Sequence, residues 1–371
     1  MTRAAVLMAV DQPLEIRDDI EVDEPKAGEV RVRMLASGVC HSDLSMQNGT
    51  LLTPTPVVLG HEGAGVIETL GEGSADQFGL AVGDHVVISW VPQCGACFFC
   101  GRGQPELCET TQMSVAMACL LDGTTRFRAG GMALRQMSAA GTFAETSVIP
   151  AVSAIKVDPT LDPKVAALIG CGVLTGVGAA LNTAQIAEGD TVAVVGCGGV
   201  GLNVIQGAAI AGAGEIIAVD LNPAKLELAR TFGATATVDA SNRDAVSGVM
   251  ELTHQRGADV AFEVIGLQRT IDQTIGMTRR GGQAVLVGVP RMDAVVNVAA
   301  FFGVVLAEKT IRGCWYGGSD VRRDIPRIVD LYRQGRLKLD ELISQTIRLD
   351  QVNDAFEALR QSAVARTVIE Y

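Results

Sequence analysis

Short apolar runs broken by glycine-punctuated turns dominate the chain, and the clearest series lies between residues 191 and 220. There "TVAVV", Thr191 to Val195, reads as a buried β-branched strand, "VGLNVIQGAAIAG" as an apolar helix, and "EIIAVD" as a second strand ending at Asp220. The following "LNPAKLELARTFG" predicts another helix, with Asn222 as cap, Pro223 in the first turn and Gly233 as stop. Further strands are predicted in "ATVDA", "DVAFEVIG", "QAVLVGVP" and "KTIRGCW", with helical patterns between them. Strand and helix in alternation is the pattern of an α/β doubly wound parallel sheet, expected here over residues 173–315. The N-terminal part, 1–172, and a helical tail, 316–371, are expected to make a second, discontinuous domain.

Composition narrows the class. A chain of 371 residues exceeds one ordinary core, which agrees with two domains. With 48% hydrophobic and 19% charged residues it is a well-buried globular chain. Lys and Arg number 30 against 42 Asp and Glu, a formal charge of −12, so neither nucleic acid nor an anionic membrane is an expected partner. The start, "MTRAAVLMAVDQPLEIRDD", shows no apolar core followed by a small-residue cleavage site, and the glycines of 191–220 argue against a membrane span. The expected location is the cytoplasm, where clustered cysteines serve metals more often than disulfides.

Chemistry enters with "QCGACFFCGRGQPELC", which holds Cys94, Cys97, Cys100 and Cys108, four of the nine cysteines. A C-x2-C-x2-C-x7-C run suits tetrahedral zinc. Bacterial iron–sulfur runs place the fourth cysteine after three residues and before proline, whereas here it follows seven and precedes Glu109. Two disulfides would require a secreted chain. Four thiolates close the coordination sphere, so this zinc is expected to be structural. A second set is scattered: Cys40, His41, Ser42 and Asp43 in "GVCHSDLS", His61 and Glu62 in "LGHEGAGVIETLG", and Cys171 in "GCGVLTG". Singly each is weak, since a cysteine beside glycine is commonly a small buried hydrophobe. Together two thiolates and an imidazole are the ligand set of a catalytic zinc with one position open. Finally, Gly196-x-Gly198-Gly199-x-Gly201 sits between strand and helix, with Asp220 about twenty residues on, as a dinucleotide site requires. Asp220 would repel a 2′-phosphate and no arginine follows it, so NAD is expected rather than NADP.

Taken in order, "GVCHSD", "GHEGAG", "CGACFFC…C", "GCGV" and "VGCGGVG" resemble the zinc-dependent medium-chain alcohol dehydrogenases over essentially the whole chain. The long Cys108–Cys171 segment, with "DGTTRF", resembles the longer, typically dimeric members, and "GHEGAG" and "CHSDL" are similar to bacterial aryl-alcohol dehydrogenases. The resemblance implies a GroES-like irregular β-barrel catalytic domain and a Rossmann coenzyme domain. It implies NAD, two Zn2+ per subunit, and a homodimer pairing edge strands near "AVVNVAAFFGVV". Cys40, His61 and Cys171 would hold the catalytic zinc with Glu62 just behind it. Asp43 would accept the other imidazole N–H of His61, and Ser42 would take the first proton.

By the same resemblance the coenzyme would lie on Gly196, Gly198, Gly199, Val200 and Gly201. Asp220, Lys225, Val287 and Val289 would also touch it, with His41 and Arg366 toward the pyrophosphate. Trp90 and Trp315 would line a substrate channel, with Met113, Met137 and Val289 as further wall. The implied reaction is reversible oxidation of aromatic or medium-chain primary alcohols to aldehydes, by alkoxide formation at zinc and hydride transfer to NAD. Three departures stand out. Ser45 occupies the place of a relay histidine, and His41 stands where several members have arginine. Gln112 falls near an arginine used by thiol-adduct formaldehyde dehydrogenases of the family. Thiol-adduct oxidation, a nicotinoprotein that never releases NAD, and a silent cofactor-binding protein are the alternatives. Cys119, Cys197 and Cys314 fit no ligand spacing and are expected to be buried small hydrophobes.

Overall fold

Residues 1–171, 320–333 and 339–371 make one unit of the chain, and 172–319 with 334–338 make another. The structure is a computed structural model and describes residues 1–361 and 365–371. In the first unit the strands Thr2–Leu7, Glu15–Val22, Phe127–Ala129, Met132–Gln136 and Val57–Val58 close into a barrel. A larger sheet runs in the order Ala154–Val157, His85–Ile88, Glu62–Leu70, Glu29–Val39, Arg366–Glu370 and Ile343–Ile347. Thr146–Pro150 also pairs with the start of Glu29–Val39.

Glu29–Val39 is the spine of this unit. It is buried at nearly every position and runs directly into Cys40. Its antiparallel ladder with Glu62–Leu70 sets Gly38 opposite Glu62, and its ladder with Arg366–Glu370 sets Gly38 opposite Val368. Strand side chains keep a period of two, so these registers decide which groups emerge together at the strand's end.

The second unit is a six-stranded parallel sheet. In chain order its strands are β1 (Thr191–Val195), β2 (Glu215–Asp220), β3 (Ala236–Asp239), β4 (Ala258–Glu263), β5 (Thr278–Leu286) and β6 (Thr310–Gly313). Their spatial order is β3-β2-β1-β4-β5-β6, so the winding reverses between β1 and β4, where such sheets open a ligand crevice. The α/β doubly wound reading of the sequence describes this unit. The helix Pro223–Thr231 starts as its sequence predicts: Asn222 Oδ1 accepts the Ala224 N–H at 2.9 Å. The helical run Pro163–Thr183 is long and apolar enough to cross a membrane, yet 83% of that window is buried within the protein, as in a core helix.

The division differs from a sheet domain ending at residue 315. Gly317 packs on Leu174 and Thr175 carbonyls and Gly318 on Thr183, which holds residues 316–319 with the sheet unit. Residues 334–338 join it because Gln206 mimics a backbone pairing: its Oε1 accepts the Lys338 N–H at 2.7 Å and its Nε2 reaches the Lys338 carbonyl at 3.4 Å.

One buried cation secures the barrel unit. Arg126, in the "DGTTRF" segment, is 2% exposed, and its Nε donates to Glu29 Oε2 at 2.9 Å and Nη2 to Asp122 Oδ2 at 2.9 Å. Burial works against the Asp122 charge, but Lys26, Thr124 and Arg126 outweigh it and hold its pKa below the usual carboxylate range. Removing one partner from a buried pair leaves the other charge uncompensated, which costs about 3 kcal/mol. Arg126→Met is therefore expected to lose about that much stability in urea unfolding, and adding Glu29→Gln to recover part of it. A loss below about 1 kcal/mol would show that the pair is solvated like a surface salt bridge.

Candidate active site

At the end of the Glu29–Val39 spine, the donor atoms of Cys40, His61, Glu62 and Cys171 all lie within 4.8 Å of one another, and all four residues are buried. Ligands bound at about 2.0–2.3 Å around a tetrahedral zinc lie roughly 3.3–3.8 Å apart, so this set can close on one ion. Each member arrives by a different local device. Cys40 is the residue after the spine and caps the helix His41–Gln47. His61 precedes the strand Glu62–Leu70, whose register brings it to the same end. Cys171 sits in a π-helical turn, Ile169–Val173, that follows the helix Pro163–Leu168. Such a turn admits an extra residue and re-aims the next side chain. Gly170 lets that turn press on the sheet: a Cβ there would stand 2.6 Å from the Ile88 carbonyl oxygen.

Asp43 fixes the imidazole. Its Oδ1 lies 3.0 Å from His61 Nδ1 and its Oδ2 accepts the Cys40 N–H at 2.9 Å. A carboxylate offers acceptors alone, so Nδ1 carries the proton and Nε2 is left to bind a metal. Burial opposes charge on His61, but Asp43 and Cys40 overcome it and raise its pKa well above the ordinary value. The Cys171 thiol donates to Cys40, so Cys40 is pushed well below the usual thiol range and Cys171 well above it. Burial, partly offset by Arg366, lifts Glu62 to about 7. A pocket that gathers two thiols, a carboxylate and an acceptor-held imidazole is short of positive charge. A divalent cation fits that shortage, and zinc suits its donors.

Around this set lie the other expected groups of the unit. The Ser42 hydroxyl is 3.9 Å from Cys40 Sγ. The Trp90 indole stands edge-on to the His61 ring, with centroids 6.1 Å apart and planes at 88°. His41 is exposed at the first position of its helix, and Ser45 lies one turn beyond Ser42. Arg366 is 5% exposed and its Nη2 is ion-paired with Glu62 Oε2. Burial works against its charge, but Glu62 and Cys40 raise its pKa above the ordinary value. This ion pair was not foreseen; 304 residues separate the partners, and no local motif announces it. Met137 needs correction: it is 2% exposed and packed among Leu44, Met46, Phe143 and Phe356, so it is core rather than channel wall. Met113, by contrast, is exposed on the helix Glu109–Met117.

Cys94, Cys97, Cys100 and Cys108 form the second donor set, again within 4.8 Å of one another. Backbone N–H groups already face the sulfurs: Cys94 N to Cys108 Sγ and Cys97 N to Cys94 Sγ, each at 3.4 Å. The Cys100 and Glu109 N–H groups bring Cys97 down to about 6. Such donors stabilise thiolates, which is what a closed four-sulfur zinc site needs.

In the sheet unit the glycines divide their tasks. Gly196 has φ +103° in the tight turn. A Cβ at Gly198 would meet nothing within 4 Å, leaving its backbone open to a pyrophosphate at the N-terminus of the helix Gly199–Ala211. A Cβ at Gly201 would lie 1.8 Å from the Gly196 carbonyl oxygen, so that position admits glycine alone. Asp220 is pinned by two backbone donors, Cys197 N at 2.8 Å to Oδ2 and Asn222 N at 2.9 Å to Oδ1. Lys225 is half-buried in the helix that follows. Val200 opens the glycine helix, Val287 is buried after β5, and Val289 and Trp315 are partly exposed. Turn geometry, open backbone and an acid at the end of β2 together fit a dinucleotide.

The comparisons agree with both halves. Residues 26–159 match the family model for the alcohol dehydrogenase GroES-like domain, and 199–334 that for zinc-binding dehydrogenases. S-(hydroxymethyl)glutathione dehydrogenase of Haemophilus influenzae is 38% identical over 373 aligned positions, covering 100% of this chain and 97% of that protein. The protein of the same name from Escherichia coli is also 38% identical, covering 100% of each. Among solved structures, benzyl alcohol dehydrogenase from Acinetobacter calcoaceticus superposes with a TM-score of 0.92 at 29% identity, covering 100% of this chain and 99% of that one. An alcohol dehydrogenase zinc-binding domain protein from Burkholderia ambifaria gives 0.92 at 33% identity, covering 100% and 98%.

Metal analysis should find two zinc per chain. Cys100→Ser is expected to lose one zinc and unfold several degrees lower. Asp43→Asn is expected to keep the fold and weaken the other zinc by roughly ten- to a hundredfold in chelator competition. Unchanged affinity in Asp43→Asn would remove its orienting role.

Proposed function

Because the chain belongs to the zinc-dependent medium-chain alcohol dehydrogenase family, we propose that it oxidises aromatic or medium-chain primary alcohols to aldehydes with NAD⁺. The observation that carries the substrate class is Trp90, whose indole lies against the ligand imidazole and supplies an apolar wall beside the reacting position. The overall change is alcohol plus NAD⁺ to aldehyde, NADH and one proton.

Cys40, His61 and Cys171 would hold the zinc, which when bound acts as a Lewis acid that lowers the pKa of an alcohol oxygen. Gly196–Gly201 and Asp220 would cradle NAD⁺, which when bound supplies the hydride acceptor. Everything else falls to the protein. Asp43 keeps the proton on His61 Nδ1, so that the imidazole presents one orientation. Ser42 Oγ, beside Cys40, receives the alcohol proton. Ser45, half-buried three residues on, lies on the same helix face and can pass that proton toward water. Arg366 holds the Glu62 carboxylate, so Cys40, His61 and Cys171 would be left as the zinc's protein ligands. Lys225, Val287, Val289, His41 and Arg366 remain candidate contacts of the coenzyme, and Trp315 and Met113 of the substrate.

A second reading, thiol-adduct oxidation, is favoured by the name that the 38%-identical relatives carry. The protein works in the cytoplasm, where its metal-binding thiols stay reduced. It forms a homodimer through the exposed apolar stretch containing Val295, Phe301, Phe302 and Val305, next to the edge strand β6. Among the described residues β6 pairs with β5 alone, so its outer edge suits the same edge of a second copy.

Absorbance at 340 nm, with excess NAD⁺ and either benzyl alcohol or S-(hydroxymethyl)glutathione, decides between the readings. Faster NADH formation with benzyl alcohol, stopped by a zinc chelator, is expected. A preference for the glutathione adduct would overturn the substrate class, and a band present before substrate would indicate retained coenzyme. Phe302→Asp is expected to halve the mass seen by light scattering; an unchanged mass would refute the interface.

A further inference from the structure

Glu263 is the last residue of β4, at the sheet's reversal point, and is fully buried. Its Oε1 accepts three hydrogen bonds, from Ile265 N at 2.9 Å, Gly266 N at 2.8 Å and Thr270 Oγ1 at 2.6 Å. Oε2, also buried, has no hydrogen-bond partner among the described residues. It faces Gly288, where a Cβ would stand 2.6 Å from it. The main-chain carbonyl of the same residue accepts the N–H groups of Val287 at 2.8 Å and Gly288 at 3.0 Å. Glu263 therefore joins the two turns that follow β4 and β5, and does so as an acceptor throughout.

Those turns border the dinucleotide site. A Cβ at Gly196 would lie 2.5 Å from Ile265 Cγ1, so the turn after β4 rests on the glycine turn after β1. Asp220, the ribose acid, ends β2 on the far side of β1. A dinucleotide laid across the crevice, with its pyrophosphate on the glycine turn and its adenosine on the β2 side, extends its other half over β4 and β5. Glu263 thus lies on the nicotinamide side, and the turns it joins carry Val287 and Val289.

We infer that the Glu263 carboxylate sets the preference of the site between oxidised and reduced coenzyme. The nicotinamide ring is cationic in NAD⁺ and neutral in NADH. A fixed anion on its side of the crevice, with one oxygen unmatched by any protein donor, attracts the first form and not the second. Gly288 makes room for that buried oxygen, since a side chain there would collide with it. Three donors on Oε1 hold the group in place, so charge and loop geometry can be altered separately: Glu263→Gln removes the charge and keeps an acceptor for the loop, whereas Thr270→Val removes a donor and keeps the charge.

The inference rests on NAD as coenzyme, and its test reads binding rather than turnover. Dissociation constants of NAD⁺ and NADH are measured by calorimetry and NADH fluorescence on the zinc-loaded protein without substrate. In Glu263→Gln the ratio of the NAD⁺ to the NADH constant is expected to rise about tenfold, as for one unit charge within about 10 Å at intermediate dielectric. In Thr270→Val both constants are expected to change together, leaving the ratio as in the native protein. Glu263→Met, neutral and of similar length, supplies the same reading if the amide variant does not fold. An unchanged ratio in the folded neutral variant, with both constants raised equally, would make Glu263 a structural staple and overturn the inference. Failure of the native protein to bind either form would remove the coenzyme reading, and this inference with it.

Discussion

The absence of a side chain at Gly38 is the constraint on which the candidate active site turns. Three neighbouring strands meet there, with Glu62 across one ladder and Val368 across the other. A Cβ at residue 38 would sit 2.0 Å from Glu62 Oε2 and 3.0 Å from Leu168. Because that space is left open, the Glu62 carboxylate can lie over the central strand and meet Arg366 from the opposite neighbour. Cys40, two residues along, and His61, one residue before Glu62, then emerge at the same end. A slip of one residue in the ladder with Glu62–Leu70 would part Cys40 from His61 and Glu62, and one in the other ladder would part Arg366 from Glu62.

Charge explains why the surroundings are built as they are. Buried anions are tolerated when they are paired or bound to metal. Two thiols, Glu62 and Asp43 share one small buried region, and its protein cations are the His61 imidazole and Arg366. Arg366 is shared by Glu62 and Cys40, and the imidazole by Asp43 and Cys40, so two cations serve three acidic groups. The structure so balanced asks for a dication at the sulfurs, and the orientation of His61 Nε2 agrees.

Much of this was legible in the sequence because it is local. The four-cysteine loop, the glycine turn with Asp220, and the Asn222–Pro223 helix start each lie within about thirty residues and obey short-range geometry. The alternation of strands and helices predicted a doubly wound parallel sheet for the same reason, and the spatial order of its strands came with the structure. What stayed hidden depends on contacts between distant segments. Arg366 and Glu62 are joined by strand register, which no window of sequence carries. Met137 looked available for a channel wall, because a methionine reads alike on a wall and in a core. Residues 334–338 looked like part of the tail until Gln206 was seen to pair with Lys338. Glu263 belonged to an ordinary strand ending, and its burial follows from the turns that β4 and β5 happen to bring together.

The two metal sites differ in one respect that follows from these contacts. At the four-cysteine loop the fourth donor is another sulfur, held by the same short segment and met by the Cys94 N–H and the Thr110 hydroxyl. At the buried site the fourth donor in reach is Glu62, and a guanidinium already occupies its Oε2. An ion there would be held by Cys40, His61 and Cys171, with Glu62 paired to Arg366. For Glu62 to reach an ion there, its carboxylate would have to leave Arg366. The partner of the fourth donor separates the two sets: the Cys94 N–H and the Thr110 hydroxyl at Cys108, and a buried arginine at Glu62.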